Sequence, residues 1–328
     1  MSGSATFSKS LAQRVSRTLE SRCGEVRVLS AFAKVNLRLK VEGRRPDGYH
    51  LLSMLNCSTS LCDTLRVSLQ SEKTFRVEIV PTGALPEGTG ENLVTKAFRA
   101  FWREFGFEEP PCGFVCDIEK RIPVGGGLGG GSADAGAMFR FLEECFGDDI
   151  SAVLGISSLE VSERIRNAAL TCGADVPYAY VTGTCWVRGI GEDVRPIIDR
   201  PVWDGKVLLL VPSVPMPTAR FYDEFRRSRP EIVAQVDTAL RDFSEGKGGN
   251  VLSLVENDFE PVVCALLPEV REGLRITREV CGQGVALTGS GSVFFALIPP
   301  GEEGKVAELS LRLHPLGITS HITSLVHR

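Results

Sequence analysis

Residues 123 to 134 read Pro-Val-Gly-Gly-Gly-Leu-Gly-Gly-Gly-Ser-Ala-Asp, and six of the seven positions from Gly125 to Gly131 are glycine. Without Cβ atoms, the backbone N–H groups of Gly125, Gly126, Gly127, Leu128, Gly129, Gly130 and Gly131 can converge on one anion. The helix that the sequence predicts from about Ser132 adds unpaired amides and the positive end of its dipole. The chemistry this pattern serves is phosphate binding. A Walker loop would carry Lys and then Ser or Thr after the last glycine, but Gly131 is followed by Ser132 and Ala133. Gly125, Gly127 and Gly130 satisfy G-x-G-x-x-G, yet the nearest downstream acids, Glu143 and Glu144, fall within the following helix rather than at the end of the next strand. A loop covering a nucleoside triphosphate, braced by a lysine and an aspartate from elsewhere in the chain, stays open. A flexible linker is disfavoured, because Leu128 interrupts the run and an apolar-periodic helix follows at once.

Three more stretches carry polar groups in positions where the chain must turn. Gly43-Arg44-Arg45-Pro46-Asp47-Gly48-Tyr49-His50 is a turn cluster of the kind that presents functional groups. Cys172-Gly173-Ala174-Asp175-Val176-Pro177 sets an aspartate beside a small-residue turn. The proline is expected to hold Val176 extended, and on these residues alone Asp175 reads first as a turn or helix-capping aspartate. Thr288-Gly289-Ser290-Gly291-Ser292 is a glycine-serine loop between two apolar runs.

The elements that must position these groups follow from periodicity. Strands are predicted over 26–41, 63–69, 75–80 and 113–119, and helices over 92–105, 132–146 and 158–169. The stretch from Leu51 is helical or extended. Further on come a strand at 207–211, an interdomain crossing at Pro212, Pro215 and Pro217, helices at 230–243 and 268–281, and strands on either side of the 288–292 loop. Strands first, then helix, strand, loop and helix favour an α+β or mixed α/β organisation over a regular parallel stack.

With 328 residues and 43% hydrophobic content, the chain can bury a large core and is expected to form two domains. A net charge of −4 supplies no general basic field for nucleic acid, and no apolar run reaches bilayer length. The ten cysteines are scattered among apolar neighbours, without zinc-finger spacing, and read as buried thiols of a reducing compartment. Residues 1–27 read as a floppy or helical extension. A transit peptide is the other reading, and Glu20 and Glu25 weigh against it.

Together, Ala33-Lys34-Val35-Asn36-Leu37, the glycine loop from Pro123 to Asp134 and Thr288 to Ser292 resemble the three motifs of the GHMP small-molecule kinases. Arg44 to His50 and Gly173 to Pro177 resemble the branch of that superfamily whose substrate carries a cytidyl group. The resemblance implies a two-domain α+β fold, with an N-terminal βαβ nucleotide-binding domain over 28–195 (a core of the left-handed-crossover type) and a ferredoxin-like α/β domain over 196–328. It implies ATP-dependent phosphorylation of the 2-hydroxyl of 4-diphosphocytidyl-2-C-methyl-D-erythritol, a step in making isoprenoid precursors. Lys34 and Asp175 become the catalytic pair, which reverses the capping reading of Asp175. An aspartate accepts the alcohol's proton and a lysine stabilises developing charge. Pro123, Gly125, Gly126, Gly127, Leu128, Gly129, Gly130, Gly131 and Ser132 are implied to bind ATP. Asn36, Tyr49, His50, Asp175 and Trp186 are implied to bind substrate, and Gly289, Ser290, Gly291 and Ser292 form the third loop. Magnesium rides on the nucleotide, with no dedicated protein metal site. The partners implied are the small-molecule substrate but neither nucleic acid nor membrane, in a monomer or weak homodimer of the bacterial cytoplasm, with plastid import as the alternative. Two departures from the usual pattern stand out: Ala133, which removes a hydroxyl, and Gly136, which puts a glycine into the first helical turn. Other alcohols as substrate, or nucleotide binding without turnover, are the competing readings.

Overall fold

The computed structural model describes residues 2–80, 91–197, 202–214, 221, 224–227, 236–247 and 249–326. Pro215 and Pro217, and the start of the helix expected at 230–243, lie outside them. The chain divides into two compact units that interleave along the sequence. The first comprises Met1–Phe32, Cys62–Arg121 and Gly130–Val181; the second comprises Ala33–Leu61, Ile122–Gly129 and Thr182–Arg328. Two long strands, β1 (Arg27–Arg44) and β2 (His50–Gln70), run through both. The stretch after Leu51 is therefore extended.

In the first unit, the end of β2 pairs antiparallel with β4 (Gly113–Glu119), and β3 (Phe75–Val80) pairs parallel with β4. Helix α1 (Ser2–Arg22) packs on α3 (Gly130–Leu154) by Leu11, Val15 and Leu19, spaced one turn apart and buried, while Thr18 donates to Asp149 at 2.6 Å. The extension is thus helical and docked. Helix α2 (Leu93–Glu104) starts where the Asn92 side chain accepts from Val94 N at 2.8 Å, and it buries Val94, Ala97, Phe98, Phe101 and Trp102. Trp102 meets Phe146 of α3 at 4.9 Å between ring centroids, and Phe98 meets Phe114 of β4 at 4.7 Å. Helices α4 (Ser158–Leu170) and α5 (Val176–Val181) complete this unit.

In the second unit, β5 (Thr184–Gly189) pairs antiparallel with the first half of β2 and with β6 (Asp193–Pro196). A separate antiparallel sheet has the order β11-β7-β10-β9, built from β7 (Lys206–Pro212), β9 (Val285–Leu287), β10 (Phe294–Ile298) and β11 (Ile318–Thr323). Between β7 and β9 come α6 (Thr238–Ser244), β8 (Glu256–Asn257, parallel to β1), α7 (Glu260–Leu266) and α8 (Pro268–Cys281); α9 (Gly304–Leu313) precedes β11. With α8 and α9 packed against it, this sheet has the split βαβ arrangement of ferredoxin-like domains. The fold is α+β. All ten cysteines are free thiols, and burial pushes Cys57, Cys112 and Cys116 up to about 12, so these three stay protonated and unreactive at neutral pH.

Candidate active site

Three distant stretches of sequence meet within the second unit. Lys34, on β1 and only 6% exposed, donates from Nζ to Asn36 Oδ1 at 2.7 Å. The same oxygen accepts from Gly289 N at 2.7 Å and from the Thr288 hydroxyl at 3.2 Å, and Asn36 N donates to Thr288 Oγ1 at 3.0 Å. The glycine loop joins through Lys34 N, which donates to Leu128 O at 3.0 Å, and through Val293 N, which donates to Gly126 O at 3.2 Å. Gly127 has φ +83°, and a Cβ there would stand 2.4 Å from Thr288 O. The loop is bare because backbone occupies the space a side chain would need. Its last glycines, Gly130 and Gly131, are the first residues of α3, so the helix begins two residues earlier than its sequence suggests. Bare amides running into the N-terminus of a 25-residue helix fit a triphosphate.

Two asparagines absent from the motifs complete this cluster. Asn257 of β8 donates to Leu287 O at 2.8 Å and Gly289 O at 3.0 Å, pinning the third loop. Asn56 of β2 accepts from Asn36 Nδ2 at 2.6 Å. No sequence signal marks either one, because their significance lies in strand register.

That register also sorts the residues expected to hold substrate. Along β2, His50, Met54 and Asn56 are separated by even numbers of residues and therefore project from one face, the face that Asn36 touches through Met54 Sδ and Asn56. His50 is buried edge-on against Phe225 at 5.1 Å, and Phe225 and Phe221 both pack on Phe259. Burial lowers the His50 pKa, with Arg44 and Arg226 adding to the effect, so its imidazole is neutral at neutral pH. Tyr49 is 61% exposed. Trp186 stands directly opposite Leu55, donates from its indole N–H to Ser53 at 3.0 Å and lies under the Arg188 guanidinium at 5.0 Å. Its register puts it on the face of β2 that carries Ser53 and Leu55, opposite the one that carries Met54 and Asn56. Phe221 and Phe225, which the motifs did not single out, supply the aromatic surface beside His50.

Asp175, half-buried in the first unit, immediately precedes α5 and accepts from Ala179 N at 3.0 Å through its carbonyl. Val176 is helical rather than extended. Pro177 falls in the first turn, where its missing N–H breaks no helical bond, and the buried Val176 and Tyr178 draw the turn into the core.

A second buried group in the first unit was not legible in the sequence. Lys120 donates to Asp63 and, at 2.8 Å, to Asp134 Oδ2 in the early turns of α3, and the other Asp134 oxygen is buried without a hydrogen-bond partner. Burial, with the Asp63 charge adding and Lys120 opposing, raises the Asp134 carboxyl to about 7. For Lys120, burial lowers the ammonium pKa, but the two carboxylates outweigh it and raise the value overall. The native state therefore holds a proton on Asp134 that the unfolded chain releases near its ordinary value of about 4. This contribution to stability is complete below that value and is lost as the pH rises through about 7. Urea unfolding between pH 4 and 7 is expected to show the stability of the parent, relative to Asp134→Asn, falling as the pH rises. An identical slope in the variant would exclude Asp134 as its source.

Among the described residues, no group of three or more His, Cys, Asp or Glu could hold a metal ion, and no helix is long and apolar enough to cross a membrane.

Known proteins share this arrangement. The GHMP kinases N terminal domain family matches residues 92–183, which contain the glycine loop and Asp175. The fold and motifs are those of a GHMP kinase, a phosphotransferase. The 4-diphosphocytidyl-2-C-methyl-D-erythritol kinase of Polaromonas sp. (strain JS666) is 33% identical over 304 residues, covering 87% of this chain and 91% of its own length. The protein of the same name from Thermotoga maritima is 36% identical over 276 residues, 83% of this chain and 92% of its own. The chain belongs to the 4-diphosphocytidyl-2-C-methyl-D-erythritol kinase family. A crystal structure of 4-(cytidine 5'-diphospho)-2C-methyl-D-erythritol kinase superposes with a TM-score of 0.67 at 28% identity, covering 92% of this chain and all of that one. A mevalonate kinase from L. major shares the fold, with a TM-score of 0.61 at 14% identity.

Proposed function

We propose that this protein transfers the terminal phosphoryl group of ATP to the 2-hydroxyl of 4-diphosphocytidyl-2-C-methyl-D-erythritol. The observation that carries this reading is the meeting of Lys34, Asn36, the glycine loop and the Thr288–Gly289 turn around one carboxamide oxygen. Lys34 and the Thr288–Gly289 turn donate to that oxygen, and the glycine loop, a backbone cradle suited to phosphate, is bonded to Lys34 N and Val293 N beside them. The glycine loop and the start of α3 would hold the nucleotide phosphates, and magnesium accompanying the nucleotide would supply neutralisation of their charge. Lys34 stabilises charge at the reaction centre, and Asp175 accepts the proton of the alcohol late in the transfer. Asn36 orients Lys34.

His50 lies six residues along the same strand face from Asn56, roughly 20 Å at strand rise. An elongated molecule is therefore required to engage both ends, and a cytidyl diphosphate joined to a branched alcohol has that form. The neutral imidazole of His50 reads the edge of the pyrimidine, and Tyr49 and the Phe221–Phe225 pair offer it aromatic surface. The protein works as a monomer or weak homodimer in the cytoplasm.

Release of ADP with each candidate alcohol tests the reading. Turnover is expected with the cytidyl substrate and not with mevalonate or homoserine, and ATP alone should give no appreciable ADP. Phosphorylation of mevalonate or homoserine in preference to the cytidyl compound would overturn the substrate assignment, and nucleotide binding without any transfer would overturn the activity.

A further inference from the structure

Asp175 sits at the lip of a helix too short to hold its own shape. Helix α5 has six residues, below the length at which a helix persists unaided, so the position of Asp175 depends on what grips α5. One stripe of α3 does so. At Gly136 the two backbones lie in direct contact: a Cβ there would stand 2.4 Å from Ala179 C and 2.7 Å from Tyr180 N. One turn on, Arg140 donates from Nη1 to Ala179 O and, at 3.4 Å, to Tyr180 O, while Nη2 donates to Ser30 O at 2.9 Å. Further along the stripe, Glu143 accepts from the Tyr180 hydroxyl at 2.6 Å and from Ser162 at 2.5 Å.

The hydrogen bonds form a relay. Arg140 holds the carbonyl of Ala179, and the amide of that same residue holds the carbonyl of Asp175. The helix that bears Arg140 begins at Gly130, where the glycine loop ends. Gly136, unfavourable inside a helix by propensity alone, is what allows α5 to approach closely enough for the guanidinium to span two carbonyls.

We propose that Arg140 is a positioning residue for phosphoryl transfer, acting on Asp175 through Ala179, with Gly136 as the contact point that makes this possible. The inference rests on the role given to Asp175 above.

The test is a double-mutant cycle between Arg140→Gln and Asp175→Asn, read by steady-state kinetics on full-length protein whose folding is checked by circular dichroism. A displacement of about 1 Å of a reacting group costs on the order of 100-fold. Arg140→Gln is expected to lower kcat by that order while leaving KM for ATP within about twofold, and Arg140→Lys, which keeps one donor, should recover part of the loss. In the Asp175→Asn background, Arg140→Gln should cost nothing further. A folded Arg140→Gln protein with parental kcat, or one that loses the same factor in both backgrounds, overturns the proposal. Near-normal kcat in Asp175→Asn alone removes the underlying reading, and that result is visible before any Arg140 variant is made. Should Arg140→Gln not fold, the cycle is run with Arg140→Lys, which is expected to lose part of kcat with Asp175 present and nothing with Asn at that position; the same loss in both backgrounds, or none in either, overturns the proposal.

Discussion

Asp175→Asn is expected to fold as its parent does and to lose about 100- to 10,000-fold in kcat, the range that general-base catalysis contributes. The carboxamide matches the carboxylate in size, and the α5 bond from Ala179 N goes to the backbone carbonyl of Asp175, which the substitution leaves in place. What disappears is the capacity to take a proton from an alcohol whose own acidity is far too low to release it at neutral pH. KM for ATP should stay close to the parental value, because the substitution leaves intact the glycine loop and the start of α3, the proposed cradle for the phosphates. Single-turnover transfer with both substrates saturating measures the effect directly. A variant transferring at the parental rate would show that positioning and charge stabilisation suffice and that Asp175 has another function.

Gly127→Ala should fail for a different reason. Its backbone, at φ +83°, is one an alanine adopts only under strain, and the new methyl would meet Thr288 O at 2.4 Å. The strain alone costs about 1–3 kcal/mol. Gly24, at φ +80° with nothing within 4 Å of its built Cβ, supplies the control: Gly24→Ala pays the backbone term without the collision. Urea unfolding is expected to show Gly127→Ala losing more stability than Gly24→Ala. Its KM for ATP should also rise about tenfold or more, since displacing the Thr288 turn disturbs the amide cradle by at least the 1.4 kcal/mol that a factor of ten represents. Equal losses in the two variants, with an unaltered KM, would mean that the loop yields without consequence and that its glycines do not shape the phosphate site.

What the sequence disclosed is what depends on neighbours in the chain. The glycine run declares bare backbone wherever it lies, Asn92 announces the start of α2, and the patterns at 75–80, 113–119 and 268–281 return as β3, β4 and α8 with the same ends. What stayed hidden depends on register. Asn36 is satisfied by Asn56, twenty residues away, and by Thr288, 252 residues away. Lys120 finds Asp63 across 57 residues. Trp186 reads from its motif as a substrate contact, and only the pairing of Leu55 with Trp186 shows which face of β2 it shares. Val176 yields its pre-proline preference because burying the turn that contains it outweighs a local bias. Gly136 looks like a defect in a helix until α5 is seen lying against it.

The first half of β2 thus behaves as a partition. Its row containing Met54 and Asn56 lies against Asn36, and the alternate row containing Ser53 and Leu55 lies against the indole and its guanidinium cover. A change of side chain at position 186 is therefore met first by Ser53 and the Arg188 guanidinium, and one at position 56 by the carboxamide of Asn36.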